Sequence, residues 1–136
     1  MIGEYKCVWS EGKDGVRGVA VLVASKWQEE VTKAKRMSER ILLVRIIEVG
    51  KRILCPMSVY EPQAGRTMVD KEEFYEALGE VLKGVKEEEA LFICDDFNGH
   101  VGGEADGFEG VHGCHGFGRR NLEGEPLLNL RRTEIW

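Results

Sequence analysis

Two polar residues, Asp96 and Asn98, follow the short apolar run Ala90–Cys94, at the point where a buried β-strand would end. Side chains two positions apart in an extended chain point to the same side. A carboxylate there can orient or deprotonate an attacking water, and an amide can donate to a phosphate oxygen. Tyr60 ends another β-rich run and can donate its phenolic proton to the same phosphate. The pattern predicts a phosphoryl-transfer site.

The same residues also have ordinary structural interpretations. Asp and Asn are common in turns because their side chains satisfy nearby backbone groups, so this cluster alone is more typical of a turn than of catalysis. Tyr60 alone is typical of a half-buried strand tyrosine whose hydroxyl has found a partner. The choice between the two interpretations therefore depends on the surrounding sequence.

Further reactive side chains lie in the glycine-rich stretch that follows, at His100, His112, Cys114 and His115. All of them are possible zinc ligands, but their spacing fits no standard zinc module. Arg119, Arg120 and Asn121, in the same stretch, are candidates for contacts with a nucleic-acid backbone. An arginine pair such as this one is also typical of plain solvated surface.

The elements that would position these residues are mostly β-strands in the first half of the chain. Gly15–Ala24 predicts a buried strand, and Trp27–Ser38 predicts a short polar helix or loop. Ile41–Val49 and Arg52–Tyr60 are two further β-rich runs, and the glycine and lysine between them suit a tight hairpin. These two runs should be antiparallel neighbours.

A helix precedes the apolar run at 90–94. Asp70 can cap it, with Glu73 three residues on as in a capping box. Its apolar stripe consists of Phe74, Leu78, Val81, Leu82 and Val85. Gly99–Gly124 holds 9 of the 17 glycines and has no periodic pattern, which predicts a long irregular segment that is either functional or disordered.

Composition predicts one soluble, folded domain over residues 1–136, with 43% hydrophobic and 32% charged residues. No apolar run reaches the about 18–20 residues that span a bilayer, so an intracellular protein, nuclear or cytoplasmic, is expected. The four cysteines are widely spaced, which favours reduced thiols. A net charge of −5 disfavours a uniformly basic surface but permits a local basic groove.

The stretch Cys94–Gly102, which reads CDDFNGHVG, resembles a known family signature. The endonuclease/exonuclease/phosphatase superfamily has Gly-Asp-Phe-Asn at a strand end, followed in retrotransposon-type endonucleases by a small residue and His-Val-Gly. Tyr60 and Pro62 are similar to the family's Tyr-x-Pro strand end. The likeness extends roughly from Tyr5 to Leu128.

The resemblance implies the α/β class, as a partial DNase I-like α/β sandwich of two sheets, and Mg²⁺-dependent cleavage of phosphodiester bonds, with DNA as the partner. It supports catalysis by Asp96, Asn98 and Tyr60, and Asn121 and Arg119 are the candidates for substrate contacts. The family's metal-ligand glutamate, its late aspartate and its Ser-Asp-His motif have no counterpart here, so the metal ligands are unknown and Mg²⁺ binding should be weak or absent.

Three functions follow from this partial match. The first is a degenerate or incomplete endonuclease domain with little or no turnover. The second is a non-catalytic module that binds protein or nucleic acid on the same scaffold. The third is a nuclease completed by another chain. A sandwich that lacks outer strands is also expected to self-associate through its exposed sheet edges.

Overall fold

The computed structural model describes residues 4–12, 15, 18–47, 52–63, 66–94 and 97–130. They form an α/β structure with two sheets, which confirms the expected α/β class and the expected number of sheets. The strands are β1 (Tyr5–Glu11), β2 (Gly18–Ala24), β3 (Val31–Ser38), β4 (Ile41–Ile47), β5 (Ile53–Val59) and β6 (Glu89–Cys94). The helices are α1 (Met68–Leu82), α2 (Gly124–Asn129) and a 3-10 turn at Ser25–Trp27. No helix in this part of the chain has the length and apolar character needed to cross a bilayer.

Three layers build the molecule: the antiparallel pair β1–β2, the four-stranded sheet β3–β4–β5–β6, and helix α1. Strand β4 lies in the middle layer, between β1–β2 and α1. Its side chains alternate between the two faces of the sheet, and both faces are buried. Leu42 and Val44 face the cluster that β1 and β2 cover, whereas Ile41 and Leu43 face the cluster under α1. One strand thus joins both halves of the core.

The predicted strand within Gly15–Ala24 is confirmed as β2, and its Val19 and Val23 are buried against the middle sheet. The predicted antiparallel pairing of the next two β-rich runs is confirmed by β4 and β5, for example through Leu43 opposite Met57. The residues that link those two strands lie outside the described part of the chain.

Strand β5 contains a proline, Pro56, although it has neighbours on both sides. The β4–β5 register would bring Pro56 opposite Val44, but the ladder skips that pair and the next one and resumes at Leu54 opposite Ile46. Proline has no N–H to donate, which accounts for a gap in an otherwise regular antiparallel ladder. On its other side Pro56 stands in register with Phe92 of β6.

The helix or loop predicted over Trp27–Ser38 is wrong for most of its length. Only the 3-10 turn is helical, and Val31–Ser38 forms edge strand β3, paired with β4. Its half-buried residues include Val31 and Ala34, which do not alternate because the β3–β4 register shifts twice. Pairing with β4 therefore determines the extended conformation of these residues, although the local sequence pattern predicted a helix or loop.

Helix α1 begins earlier than the sequence suggested. Its N-cap is Thr67, whose side chain accepts from the Asp70 backbone N–H, while the Asp70 carboxylate accepts from the Thr67 N–H. Asp70 is thus the third helical residue of a capping box and not the cap itself. The predicted stripe is confirmed for Phe74, Leu78, Val81 and Leu82, which are buried in the helix. Its last member, Val85, lies beyond the helix end and packs partly buried against the same core.

Strand β6 exists as predicted, but it is not the buried strand that Ala90–Cys94 suggested. It forms the edge of the four-stranded sheet beside β5. Leu91 and Ile93 pack under α1, while Phe92 on the opposite face is 55% exposed and Cys94 is also exposed. On that face β2 packs mainly against β4 and β5 of the middle sheet.

Candidate functional site

The parallel pairing of β5 and β6 brings two predicted site segments to one edge of the sheet. Ser58 stands in register with Cys94 at the end of the ladder, so both strands finish side by side. Tyr60 follows β5 directly, and the chain after β6 leads to Asn98. Asp96, the proposed catalytic carboxylate, lies outside the described residues.

Tyr60 is held firmly at this edge by Arg40. The Tyr60 N–H donates to the Arg40 carbonyl at 2.9 Å, and Arg40 Nη1 donates back to the Tyr60 carbonyl at 3.0 Å. The guanidinium also lies 5.0 Å from the ring centroid, a cation–π distance. Gln63 Nε2 donates to the hydroxyl at 3.3 Å, so the hydroxyl acts as acceptor there and keeps its own proton for donation to another group.

Asn98 departs from the extended geometry expected for the strand end. Its φ is 46°, in the left-handed region that asparagine tolerates better than most residues. The argument that residues 96 and 98 point to the same side of an extended chain therefore does not hold at this position. The Asn98 backbone instead has the conformation of a turn, as the structural interpretation of the motif anticipated.

Glu61, next to Tyr60, is a buried carboxylate that the sequence analysis missed. It is only 2% exposed, and the Tyr75 hydroxyl donates to its Oε1 at 2.9 Å. Burying a carboxylate is costly unless hydrogen bonds compensate, so this bond ties the end of β5 to α1. The sequence signal that could have identified Glu61 is a charged residue that follows the apolar run of β5.

The glycine-rich segment after Asn98 is irregular, as predicted, and is organised by two side chains. Asn121 Oδ1 accepts from the backbone N–H groups of His100 and Gly124, both at 2.9 Å. Arg120 donates to the carbonyls of Val101, Glu104 and Ala105 at 3.3, 3.0 and 2.7 Å. Asn121, predicted to contact substrate, thus clamps the loop two residues beyond Asn98.

The arginine pair divides into two roles. Arg120 is half-buried with its guanidinium 4.7 Å from the Phe108 ring centroid, whereas Arg119 is exposed. Of the predicted substrate residues, Arg119 is therefore accessible to a phosphate backbone. Lys71 of α1 lies 4.0 Å from Glu123, which ties this segment to the helix.

The imidazoles of the segment engage backbone groups. His112 Nδ1 accepts from the Cys114 N–H at 2.9 Å, and its Nε2 contacts the Gly102 carbonyl at 3.1 Å. His100 Nε2 likewise contacts the Phe117 carbonyl. Across the described ranges, no three His, Cys, Asp or Glu side chains are close enough to hold a metal ion.

A mixed-charge cleft of about 290 Å³ lies beside Tyr60 and was not anticipated from sequence. It is lined by Ser38, Glu39, Arg40, Ile41, Pro62, Arg66, Asp70, Glu73, Phe74 and Ala77. Arg40 links it to Tyr60, since the same guanidinium packs on the tyrosine ring. Both signs of charge line the cleft, so it has no strong preference for an anion by charge alone.

An ion pair at the opposite end of the middle sheet holds β6 in place. Arg45 donates to both Glu89 carboxylate oxygens, at 2.9 and 3.1 Å, and to the Gly84 carbonyl at 2.7 Å. The hydrogen bond from Arg45 lowers the pKa of Glu89 below its ordinary value. Burial raises the pKa of the nearby Cys55 thiol to about 11, so this thiol is a structural core residue and not a nucleophile.

No family model matches the chain, and no curated protein matches it significantly in sequence.

Proposed function

We propose that these residues form a DNase I-like, endonuclease-type phosphodiesterase scaffold that contacts a nucleic-acid backbone and has little or no turnover by itself. The observation that carries the proposal is the parallel register of β5 and β6, with Ser58 beside Cys94. In this register β5 and β6 end side by side at one edge of the sheet. Tyr60 follows β5 in sequence, and the segment that contains Asp96 and Asn98 follows β6. Two strand ends meeting in this way are what a phosphate site with groups from separate elements requires.

In this proposal each side chain has a simple task. The Tyr60 hydroxyl, positioned by Arg40, donates to a phosphate oxygen of the substrate. Asp96 orients the attacking water. Arg119 contacts the backbone of the nucleic acid as an exposed cation, and Asn121 shapes the loop that carries it.

Mg²⁺ would supply charge neutralisation on the phosphate if it were bound. The described residues at this edge offer it a phenol, an amide and the buried Glu61, which already accepts from Tyr75. They do not by themselves make the set of hard oxygen ligands that Mg²⁺ requires, so no step is assigned to the ion. This poor fit is the reason for proposing reduced turnover.

A plasmid-nicking assay tests the proposal, run with Mg²⁺, with a chelator, and with the variants Asp96→Ala and Glu104→Ala. Glu104 is an exposed residue of the glycine-rich segment and serves as the matched control. We expect nicking near background for all samples. Robust nicking that disappears with the chelator and in Asp96→Ala, but persists in Glu104→Ala, would instead identify a working nuclease.

The second candidate is a non-catalytic module whose partner is a protein, favoured by the turn conformation of Asn98 and by the use of Asn121 as a loop clamp. Binding of labelled DNA across salt concentrations separates the two candidates. Contacts with phosphates give a steep linear fall of log affinity with log salt, by roughly one unit of slope per phosphate neutralised. Arg119→Ala should make that slope shallower. Absence of DNA binding at low salt would leave the interaction module.

A further inference from the structure

The cleft beside Tyr60 combines an apolar floor with a charged rim. Three of its lining residues, Ile41, Pro62 and Phe74, are buried and form the floor. The rim carries the cations and carboxylates of Glu39, Arg40, Arg66, Asp70 and Glu73. A volume of about 290 Å³ is near the lower end for ligand clefts, which suits a ligand the size of a single ring system. Such a ligand has an apolar face and polar edges.

One wall of the cleft is a single face of helix α1. Asp70, Glu73, Phe74 and Ala77 follow one another at helical spacing, so they lie along the same side of the helix. The Asp70 carboxylate is already used in the capping box with Thr67. Glu73 is exposed and has no hydrogen-bond or ion-pair partner among the described residues. Its carboxylate is therefore available as an acceptor at the cleft.

The two cations of the rim differ in the same way. Arg40 is engaged, because its Nη1 donates to the Tyr60 carbonyl at 3.0 Å and its guanidinium packs on the tyrosine ring. The Arg66 side chain is exposed and makes no hydrogen bond or ion pair within the described part of the chain. A planar fork of donors and a carboxylate are thus both available at one cleft.

We propose that this cleft binds a guanine base. The N1–H and N2 amine of guanine are adjacent donors for the Glu73 carboxylate, and its N7 and O6 are adjacent acceptors for the Arg66 guanidinium. Adenine and cytosine each have one amine with no second N–H beside it, and thymine has no amine, so none of them offers a carboxylate two adjacent donors. The neutral guanine ring also suits an apolar floor and a rim of both signs.

The guanine has to be unpaired. In a duplex its N1–H and N2 amine donate to cytosine, so a carboxylate takes both groups only when the base has no partner. Arg40 connects this base to the proposed phosphate site, because it lines the cleft and holds Tyr60. For a nucleic-acid strand as the source of the guanine, the inference rests on the proposed function. A free guanine nucleotide presents the same two edges.

Free nucleotides test the cleft separately from any nucleic-acid chemistry. The probes are the 5′-monophosphates of guanosine, inosine and adenosine, titrated into the whole chain by calorimetry and by NMR of its amides. We expect guanosine monophosphate to bind at least about tenfold more tightly than adenosine monophosphate. Inosine monophosphate lacks only the N2 amine and should bind several-fold more weakly than guanosine monophosphate. The shifted amides should include those of Arg40 and Glu73.

Two charge-removing variants locate the contacts. Glu73→Gln should weaken guanosine monophosphate binding at least about tenfold and reduce the preference over inosine monophosphate, because that preference depends on the carboxylate. Arg66→Gln should weaken both nucleotides by the same factor, because both keep N7 and O6. Glu72→Gln and Arg52→Gln are the matched controls at exposed positions that do not line the cleft, and they should bind like the unaltered chain.

Oligonucleotides then identify the source of the guanine. A single strand of thymidines with one central guanine should bind at least about tenfold more tightly than the all-thymidine strand, and Glu73→Gln should remove that difference. Annealing each strand to its complement should remove it as well. A preference for guanosine monophosphate without binding of either strand would retain the guanine site and overturn the proposed nucleic-acid scaffold.

Two results would overturn the guanine site itself. The first is equal affinity for guanosine and adenosine monophosphates. The second is an equal effect of Glu73→Gln and Glu72→Gln on guanosine monophosphate binding, because it would place the base away from the cleft. Circular dichroism of all four variants checks that the fold is retained.

Discussion

Glu89 at the start of β6 is bound to β4 and to the preceding turn, since it accepts from Arg45 of β4 and from the Lys86 N–H. Glu89→Gln leaves a largely buried guanidinium without its counter-charge, and we expect a loss of about 3 kcal/mol in the free energy of unfolding, measured in urea. The matched control is Glu80→Gln, which breaks the exposed Glu80–Lys83 pair. That control should leave the urea midpoint unchanged.

The same carboxylate gives a pH dependence whose sign is fixed. The hydrogen bond from Arg45 lowers the pKa of Glu89 in the folded chain below its ordinary value, so the folded state favours the charged form more than the unfolded state does. The stabilisation is complete above the unfolded pKa and is lost as pH falls through the lower folded pKa. The difference in unfolding free energy between the unaltered chain and Glu89→Gln should therefore shrink below about pH 4. A constant difference from pH 7 to pH 3 would contradict this.

Metal affinity is also decided by a few side chains. If Asp96, helped by Asp95, has to hold Mg²⁺ almost alone, the ion gains little over its water shell, and we expect a Kd on the order of millimolar or weaker. An NMR titration that follows the amides from Asp95 to Asn98 measures it. Saturation at micromolar Mg²⁺ would mean that a further ligand exists, and Glu61 would be the first residue to substitute.

At the scale of elements, α1 depends on its capping box for a defined start. Thr67→Ala removes the acceptor for the Asp70 N–H, at 3.1 Å, and should lower the free energy of unfolding by about 1 kcal/mol. Thr32→Ala is the control, because the Thr32 hydroxyl makes only a 3.3 Å bond on the exposed face of β3. Equal effects of the two substitutions would show that the cap contributes nothing particular.

Elements with a strong local pattern could be predicted, and those defined by neighbours could not. The stripe that ends in Leu82 identifies α1, and the apolar run of β2 identifies a buried strand. Strand β3 was not predicted because Lys33, Lys35 and Arg36 interrupt the apolar pattern of its few inward-facing residues. Its extended conformation depends on pairing with β4. The exposure of Phe92 was missed because it depends on how the other sheet packs, mainly against β4 and β5.

The candidate site shows the same division. The type and order of Tyr60 and Asn98 point to a strand-end site, and the parallel register brings the two strand ends together. The conformation of Asn98 and the clamp made by Asn121 depend on hydrogen bonds across a glycine-rich loop, which no spacing rule encodes. Glu61 was overlooked because its burial depends on Tyr75 of α1.

For the molecule as a whole, β4 should couple both halves of the core in unfolding. Leu42 and Leu43 are adjacent in sequence but face opposite clusters. We expect Leu42→Ala and Leu43→Ala each to cost about 3 kcal/mol, with one transition in which helix ellipticity and tryptophan fluorescence change together. Two separate transitions in either variant would contradict a shared core. The exposed change Leu122→Ala is the matched control and should leave the midpoint unchanged.

The gap that Pro56 leaves in the ladder has a consequence for synthesis in the cell. Until α1 and β6 have been synthesised, the outer edge of β5 is unpaired, and its sequence ILCPMSV is uncharged and mostly apolar. Short segments of this kind nucleate amyloid-like aggregates unless a gatekeeper residue interrupts them, and proline is an effective one. Pro56→Val restores the missing N–H, so it should stabilise the native hairpin while sending more newly made protein into inclusion bodies. The soluble fraction after expression at two temperatures would reveal this trade between native stability and yield.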